Sequence, residues 1–474
     1  LNLRLTAAVA VGKLLIMALR VVGRAGTTLP GRVALALAPD LISEICRAVD
    51  NRIVVTGTNG KTTTSAMLDA VFRSAGQKVV RNVSGANLAS GVASSLIEHA
   101  TLAGHLLADI LILELDEAAI PSLAPQVRPR LAVVTNLFRD QLDRFGELDR
   151  TATFVRRSLA SAREVACLNA DDPQVAGFQR SLPDGCRPVM YGVELSAPQQ
   201  RPVPEHGVGV DVQYCFECGA RFFYDFTTYG HLGHYTCPQC SSARPSLHVM
   251  GLITGGEEAV GGRVQLRLSG ELAREAGVTE LEINLRVPGI YNIYNALAAA
   301  AAAVASGVAA EDVRAGLEAF TGAFGRMERV QVSSGEFSLA LVKNPAGFNE
   351  VLRTVQEDAG DKVLVLAVND HAADGRDISW LWDVQFAQFS DSPEVSFISS
   401  GLRAHDMAVR LKYAQVPRER ITVVPEPSAA VEAALDSSGG SAEVFVLCTY
   451  TAMLSLRSEL SSRGAVPDMW KGVR

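Results

Sequence analysis

Ile53-Val54-Val55-Thr56 runs without a break into Gly57-Thr58-Asn59-Gly60-Lys61-Thr62-Thr63. The first four residues read as a buried strand, and the residues after the loop open a helical pattern. A glycine loop between strand and helix N-terminus is an anion site, because its amides converge where the helix dipole favours negative charge. Glycines let the backbone curl around phosphate oxygens without a Cβ clash. Lys61 is placed to reach terminal phosphates, and the Thr62 hydroxyl to ligate Mg²⁺.

Working outward, similar apolar runs recur at Ile110 to Glu114, Leu131 to Thr135 and Glu164 to Leu168, with helical stretches between them. This rhythm predicts an α/β core with a largely parallel sheet. From about Ala197 to Gly270 the rhythm breaks into Pro, Gly, aromatics and cysteine, and the stretch reads as an insertion. The α/β texture returns at Leu285 to Gly289, followed by an alanine-rich helix over roughly Tyr291 to Ser306. A boundary is expected near Arg326 to Val330. Beyond it, strands at Ser338 to Val342, Val363 to Val368, Val395 to Ser399, Ile421 to Val424 and Val444 to Cys448 make a Rossmann-like unit of five strands. The expected organisation is an N-terminal helical segment (1–48), a central ATPase domain (49–327) and a C-terminal Rossmann-like domain (328–474).

Within the insertion, Cys215-x2-Cys218 and Cys237-x2-Cys240 are separated by eighteen residues. Two thiolate pairs at that spacing form a tetrahedral zinc ribbon, and a site closed by four protein ligands is structural. His231 and His234, between the pairs, are read as surface residues, with zinc ligation as the alternative. Cys46, Cys167, Cys186 and Cys448 are scattered, which fits a reducing compartment and no disulfide framework.

The 474 residues exceed one compact core and imply two or three domains. With 48% apolar and 20% charged residues the composition is that of a soluble globular protein. A net charge of −7 argues against a general nucleic-acid binder. Leu5 to Val22 is apolar but carries Lys13 and Arg20. A packed amphipathic helix is the reading, with a surface-lying membrane helix as the alternative.

The loop Gly57 to Thr62 resembles the form found in Mur ligases and folylpolyglutamate synthetases. Leu113-Glu114-Leu115-Asp116-Glu117-Ala118 resembles their acidic strand end. Thr135-Asn136-Leu137-Phe138-Arg139-Asp140-Gln141-Leu142-Asp143 is similar to their second metal segment. Leu168 to Pro173, Pro288 to Ala296 and Gly325 to Glu328 match in the same order. The resemblance implies ATP and Mg²⁺ as cofactors. The loop residues Gly57, Thr58, Asn59, Gly60, Lys61, Thr62 and Thr63 would bind nucleotide together with Glu117, with Asn295 as an adenine contact and Arg326 as a phosphate contact. Thr62 and Glu114 would hold Mg²⁺, Glu114 acting at the reaction centre.

Three departures narrow the expectation. About fifty residues precede the loop, too few for the uridine-binding domain of ligases with nucleotide-linked precursors. No lysine lies between Lys78 and Lys343, so the carbamylated lysine of those ligases is missing, and Arg156-Arg157 stand in the matching region. Gln141 replaces the usual histidine, which puts the second metal site in question. With the zinc insertion, these features resemble the MurT family, the ligase subunits of lipid II isoglutaminyl synthases. Asn344 to Asn349, Asn369 to Asp383 and Cys448 to Ala452 resemble that family's C-terminal signature.

The resemblance implies amidation of the D-glutamate α-carboxylate of the lipid II stem peptide to D-isoglutamine, through an acyl phosphate. Ammonia would come from a glutaminase-like subunit (GatD type) in a hetero-complex. Asp377 or Asp383, with Asp374 behind them, would complete that partner's Cys–His pair. The action would be cytoplasmic, at the inner membrane face, with the membrane met only through the lipid substrate. The rivals are an amino-acid-adding ligase of the same fold and a nucleotide-binding zinc scaffold.

Overall fold

The structure is a computed structural model, and it describes residues 2–21, 27–82, 85–139, 148–195, 211–253, 263–287, 289–322, 327–357 and 360–466. These fall into two compact units, one within Leu1–Phe138 and Glu147–Thr321, the other mainly within Gly322–Arg474.

The first unit is built on a nine-stranded sheet. In chain order its strands are β1 (Asn51–Thr56), β2 (Val79–Arg81), β3 (Ile110–Glu114), β4 (Leu131–Val134), β5 (Val165–Asn169) and β6 (Arg187–Leu195). A separate hairpin follows, β7 (Phe223–Tyr229) and β8 (Leu232–Thr236), before the sheet is completed by β9 (Val249–Ile253), β10 (Arg263–Leu268) and β11 (Glu280–Asn284). The order is β11-β10-β9-β6-β5-β4-β1-β3-β2. From β2 to β9 the pairing is parallel, and β10 and β11 close one edge in antiparallel fashion. Strands β3, β4 and β5 are buried along their whole length, as covered parallel strands require.

β1 lies between β3 and β4. The chain leaves β1 toward one side of the sheet and later resumes on the other. The carboxyl end of β1 is therefore a topological switch point, where open α/β sheets leave a crevice for ligands. The helix Lys61–Ser74 starts there and packs against the helices Ile290–Ala305 and Ala310–Ala319. Alanines at 298–303 are fully buried, and their small side chains let the helix lie close to the sheet and its neighbours. Gly316 sits against the Val71 backbone, where an added Cβ would come within 2.4 Å of Cα. The helices Leu3–Val21, Leu29–Leu37 and Leu41–Cys46 share a core with β1, β3 and the helices Ala89–His99 and Ile120–Val127. Among the described residues no helix is long and apolar enough to cross a membrane.

The sheet takes the chain back at Val249, inside the stretch read as insertion. β9 pairs in parallel with β6 and β10 pairs with β9. The short, polar-flanked runs of these strands alternate in burial, so they lack the continuous apolar signature of the central ones. The hairpin β7–β8 and the four cysteines form the inserted body proper.

The second unit is a six-stranded sheet, not a five-stranded one. Its strands are β12 (Glu328–Val332), β13 (Gly335–Leu341), β14 (Lys362–Ala367), β15 (Val395–Ser400), β16 (Ile421–Val423) and β17 (Glu443–Cys448), in the order β12-β13-β17-β14-β15-β16. The missed strand, β12, is an antiparallel edge partner of β13. Glu328-Arg329-Val330-Gln331-Val332 buries only Val330, too little apolar pattern to stand out.

Gly316→Ala is expected to destabilise the first unit by about 1–2 kcal/mol. Overpacking against backbone costs about 1–3 kcal/mol, and a helical Gly-to-Ala change returns up to about 1 kcal/mol. A lowered urea midpoint at constant slope checks it.

Candidate active site

The phosphate loop leaves β1 with Gly57 at φ 122° and enters the helix with Gly60 at φ 87°, both in the region that favours glycine. Space forbids a side chain as firmly as conformation does. A Cβ on Gly57 would lie 2.3 Å from Thr135 Oγ1, and one on Gly60 2.0 Å from Asn295 Oδ1. The loop is thus clasped by the end of β4 and by the alanine helix.

Hydrogen bonds complete the clasp. The Thr58 amide donates to the Asn136 carbonyl at 2.8 Å. The Asn59 amide donates to Asn136 Oδ1 at 2.9 Å, and the Asn59 carbonyl accepts from Thr135 Oγ1 at 2.7 Å. The Phe138 amide donates to Thr58 Oγ1 at 3.1 Å.

Lys61 is buried, with Nζ 2.8 Å from Glu117 Oε2. Burial works against the ammonium, but Glu117, Asp116 and Glu114 outweigh it and hold its pKa above the ordinary lysine value. Lys61 also donates to the Gly57 carbonyl, which folds it back over the loop. Thr62 Oγ1 donates to Glu114 Oε2 at 2.9 Å, so the two oxygen ligands expected for a cation converge on one place. Glu114 is held from behind, its amide donating to Asn82 Oδ1 at 2.8 Å. Thr63 and Asn295 are buried, and Asn295 Nδ2 donates to Asn292 Oδ1 at 3.3 Å. All the sequence-predicted loop residues, with Glu114, Glu117 and Asn295, therefore meet at one strand end. Gln141 and Arg326 lie outside the described residues.

The four thiols of the inserted body also converge. Their Sγ atoms all lie within 4.8 Å of one another, with Cys215–Cys240 at 3.6 Å and Cys218–Cys237 at 3.4 Å. A tetrahedral Zn–S distance of about 2.3 Å places sulfurs about 3.8 Å apart, so this geometry fits zinc.

The hairpin that leads from this cluster was not legible as part of the site. Its tip brings the buried Tyr229 hydroxyl to Asn59 Nδ2 at 3.1 Å. Phe138 lies between Tyr229 and His231, with ring centroids at 4.8 and 4.6 Å. Gly230, at φ 56°, passes so close to Phe138 that a Cβ would come within 2.6 Å of the ring. His231 is no surface residue: it is fully buried, with Nε2 3.3 Å from Asp172 Oδ2. His234 is partly buried, with Nε2 3.1 Å from Glu194 Oε2. Arg244 ties the same body down, with Nε donating to the buried Asp171 Oδ1 at 2.6 Å and Nη1 to Glu194 Oε1 at 2.5 Å. Asp171 further accepts from Tyr294 OH at 2.5 Å and the Val193 amide at 2.9 Å. The signal in the sequence was the Asn169 to Pro173 motif, but its partners lie far along the chain.

In the second unit, Asp377 and Asp383 are both exposed. The Ser379 side chain and amide hold the Asp377 carboxyl below the ordinary aspartate value. Asp374 is buried and committed elsewhere, accepting from the Thr451 amide at 2.7 Å and its hydroxyl at 2.5 Å.

The known proteins it resembles agree with this geometry. Residues 55–216 match the Mur ligase middle domain, and residues 341–453 the MurT ligase C-terminal family. The solved pseudomurein peptide ligase type C from Methanothermus fervidus shares the fold, with a TM-score of 0.64 at 22% identity over 87% of this chain and 79% of that one. Fold, loop and domain match define an ATP-dependent ligase of the Mur type. The chain is 33% identical to the lipid II isoglutaminyl synthase (glutamine-hydrolyzing) subunit MurT of Staphylococcus aureus (strain COL), over 86% of this chain and 88% of the relative. It is 31% identical to the same-named subunit of Streptococcus pneumoniae (strain ATCC BAA-255 / R6), over 98% and 99%. The chain belongs to the MurT family.

Two outcomes follow from the clasp. Arg244→Ala leaves Asp171 buried without its cation and is expected to cost about 3–5 kcal/mol in denaturant unfolding. Tyr229→Phe keeps the ring on Phe138 but removes the hydrogen bond to Asn59. Loss of about 1 kcal/mol predicts an approximately fivefold higher KM for ATP with little change in Tm. Steady-state kinetics at varied ATP reads it.

Proposed function

We propose that the chain amidates the α-carboxylate of D-glutamate in the lipid II stem peptide, giving D-isoglutamine. The observation that carries this is the convergence of the glycine loop, Lys61, Thr62 and Glu114 at the β1 switch point in a chain of the MurT family. The relatives' name supplies the substrate and the glutamine dependence.

In the first step a carboxylate oxygen attacks the γ-phosphorus of ATP, and ADP leaves. In the second, ammonia attacks the acyl phosphate carbonyl, the carbon–oxygen bond to the phosphoryl group breaks, and the proton lost by nitrogen leaves with the phosphate as hydrogen phosphate. The loop amides and Lys61 stabilise charge on the transferred phosphoryl group. Lys61 stays an ammonium throughout, since its carboxylate neighbours favour that form. Mg²⁺, which the Thr62 hydroxyl and Glu114 carboxylate fit, neutralises phosphate charge when bound. Asn295, against Gly60, is placed to meet the adenine side of the nucleotide. Arg326 is assigned the phosphates by resemblance. Zinc held by Cys215, Cys218, Cys237 and Cys240 is structural.

Ammonia is assigned to a separate glutaminase-like subunit of the GatD type. The eight cysteines of this chain fall into two sets of four. Four form the cluster. The others are buried, with burial pushing Cys46 and Cys448 up to about 12, Cys186 up to about 11 and Cys167 higher still. None of these four offers the low-pKa thiolate that a cysteine glutaminase needs. Asp377 or Asp383 is the exposed carboxylate offered to the partner's Cys–His pair, where it would orient the histidine. The reaction belongs at the cytoplasmic face of the membrane, where the lipid-linked substrate is made.

Mass spectrometry of lipid II after incubation with ATP and Mg²⁺ tests the reading. The expected product is the amide, formed from ammonium by this chain and from glutamine only with the partner. Attachment of an amino acid would establish the amino-acid-adding rival. Bound ATP with no product in the complete complex would establish the scaffold.

A further inference from the structure

The helix Leu3–Val21 contains three charged residues, Arg4, Lys13 and Arg20, and is otherwise almost wholly apolar. A helix apolar on all sides belongs in a core or against something equally apolar. Here only one side is covered: Leu5, Ala8, Val9, Gly12 and Ile16 are buried against the first unit. The opposite side is open, with Leu3 79%, Leu14 66%, Met17 63% and Val21 87% exposed. At 3.6 residues per turn these four, with the exposed Ala7 and Ala18, fall within an arc of about 100°.

Scattered exposed leucines are ordinary, but concentration is not. Of the sixteen large apolar side chains exposed among the described residues, six lie between residues 3 and 37: the four just named, Leu29 and Leu37. The last two belong to the helix Leu29–Leu37, which packs beside the first. The Arg4 side chain donates to the Leu37 carbonyl at 2.5 Å, placing the end of that helix next to the start of the first.

Charge selects the occupant. The first 39 residues carry five basic residues (Arg4, Lys13, Arg20, Arg24 and Arg32) and no acidic one, in a chain whose net charge is −7. On the helical wheel Arg4 flanks the apolar arc on one side, and Lys13 and Arg20 flank it on the other. Glu98 offsets part of that charge, pairing with Arg20 and accepting from Lys13 Nζ at its carbonyl, at 3.0 Å. An apolar stripe bordered by long cationic side chains matches a bilayer surface: the stripe enters the acyl boundary while the cations reach anionic headgroups.

We propose that the exposed face of Leu3–Val21, with the neighbouring Leu29–Leu37, is a docking surface for an anionic lipid bilayer, on which the helix lies in the interface plane. The chain then meets the membrane directly as well as through its substrate. The surface places the ligase where a lipid-linked peptide is found, but it is argued from exposure and charge and does not rest on the amidation reading.

The test is co-sedimentation of the full chain with vesicles of equal parts phosphatidylglycerol and phosphatidylcholine, against vesicles of phosphatidylcholine alone, with no substrate present. Binding to the anionic vesicles is expected, weakening as salt is raised. The double variant Leu14→Glu/Met17→Glu changes only exposed side chains, so its Tm and its affinity for ATP should match the parent. Its partitioning should fall by about tenfold or more. An Arg4→Gln/Arg20→Gln variant should lose the preference for anionic vesicles. Parent protein that stays in the supernatant, or partitioning unchanged by the double variant, overturns the proposal. So does a self-associated parent that the double variant converts to monomer, since the face would then belong to a second copy.

Discussion

The first unit depends on one steric constraint: the backbone at Gly57 and Gly60 must pass through space already filled from elsewhere in the chain. Thr135 Oγ1 stands where a Cβ of Gly57 would be, and Asn295 Oδ1 where a Cβ of Gly60 would be. Both glycines hold positive φ. Three segments distant in sequence therefore fit together only around a bare backbone. The same closeness makes the loop rigid, because Thr135 and Asn136 use their side chains to fix its peptide groups. A preorganised set of donors costs no rearrangement when a phosphate arrives, which is the basis of electrostatic catalysis.

Two buried ion-pair sites are arranged around that clasp. Lys61 meets Glu117, and Arg244 meets Asp171 and Glu194. Such pairs add little net stability, since desolvation offsets most of the Coulomb gain, but losing one partner is severe. Their effect here is to fix position. Arg244 lies just beyond the cysteine cluster, and its bond to Asp171 anchors the inserted body to the strand end beside the loop. The hairpin tip then places Tyr229 on Asn59 and packs His231 and Phe138 beside Thr58. The body that carries the four converging cysteines thus packs against the glycine loop.

The second unit keeps a different division of labour. Asp374 is spent on Thr451, joining the loop after β14 to the helix Tyr450–Ser462. Asp377 and Asp383, only a few residues on, face outward. Burial thus separates one aspartate held inside the unit from two whose carboxylates reach solvent.

Much of this was legible in the sequence. Continuous apolar runs marked the central strands, because a parallel strand covered on both faces has no polar side. The loop announced itself through residue types that few other tasks require, and the paired cysteines through a spacing that lets four thiols converge. The outer strands were harder: β9 and β10, toward one side of the first sheet, alternate in burial inside a stretch that reads as an insertion, and the edge strand β12 buries one side chain. The apolar N-terminal helix was visible, but not which of its sides faces out. Tertiary structure alone decided that His231 is buried, that Tyr229 touches a loop 170 residues away, and that Asp374 is buried while Asp377 and Asp383 are exposed. The physical reason is range. Periodicity and spacing record what a residue does within its own strand, turn or metal site, whereas these roles come from contacts that exist only after the sheet has brought distant segments together.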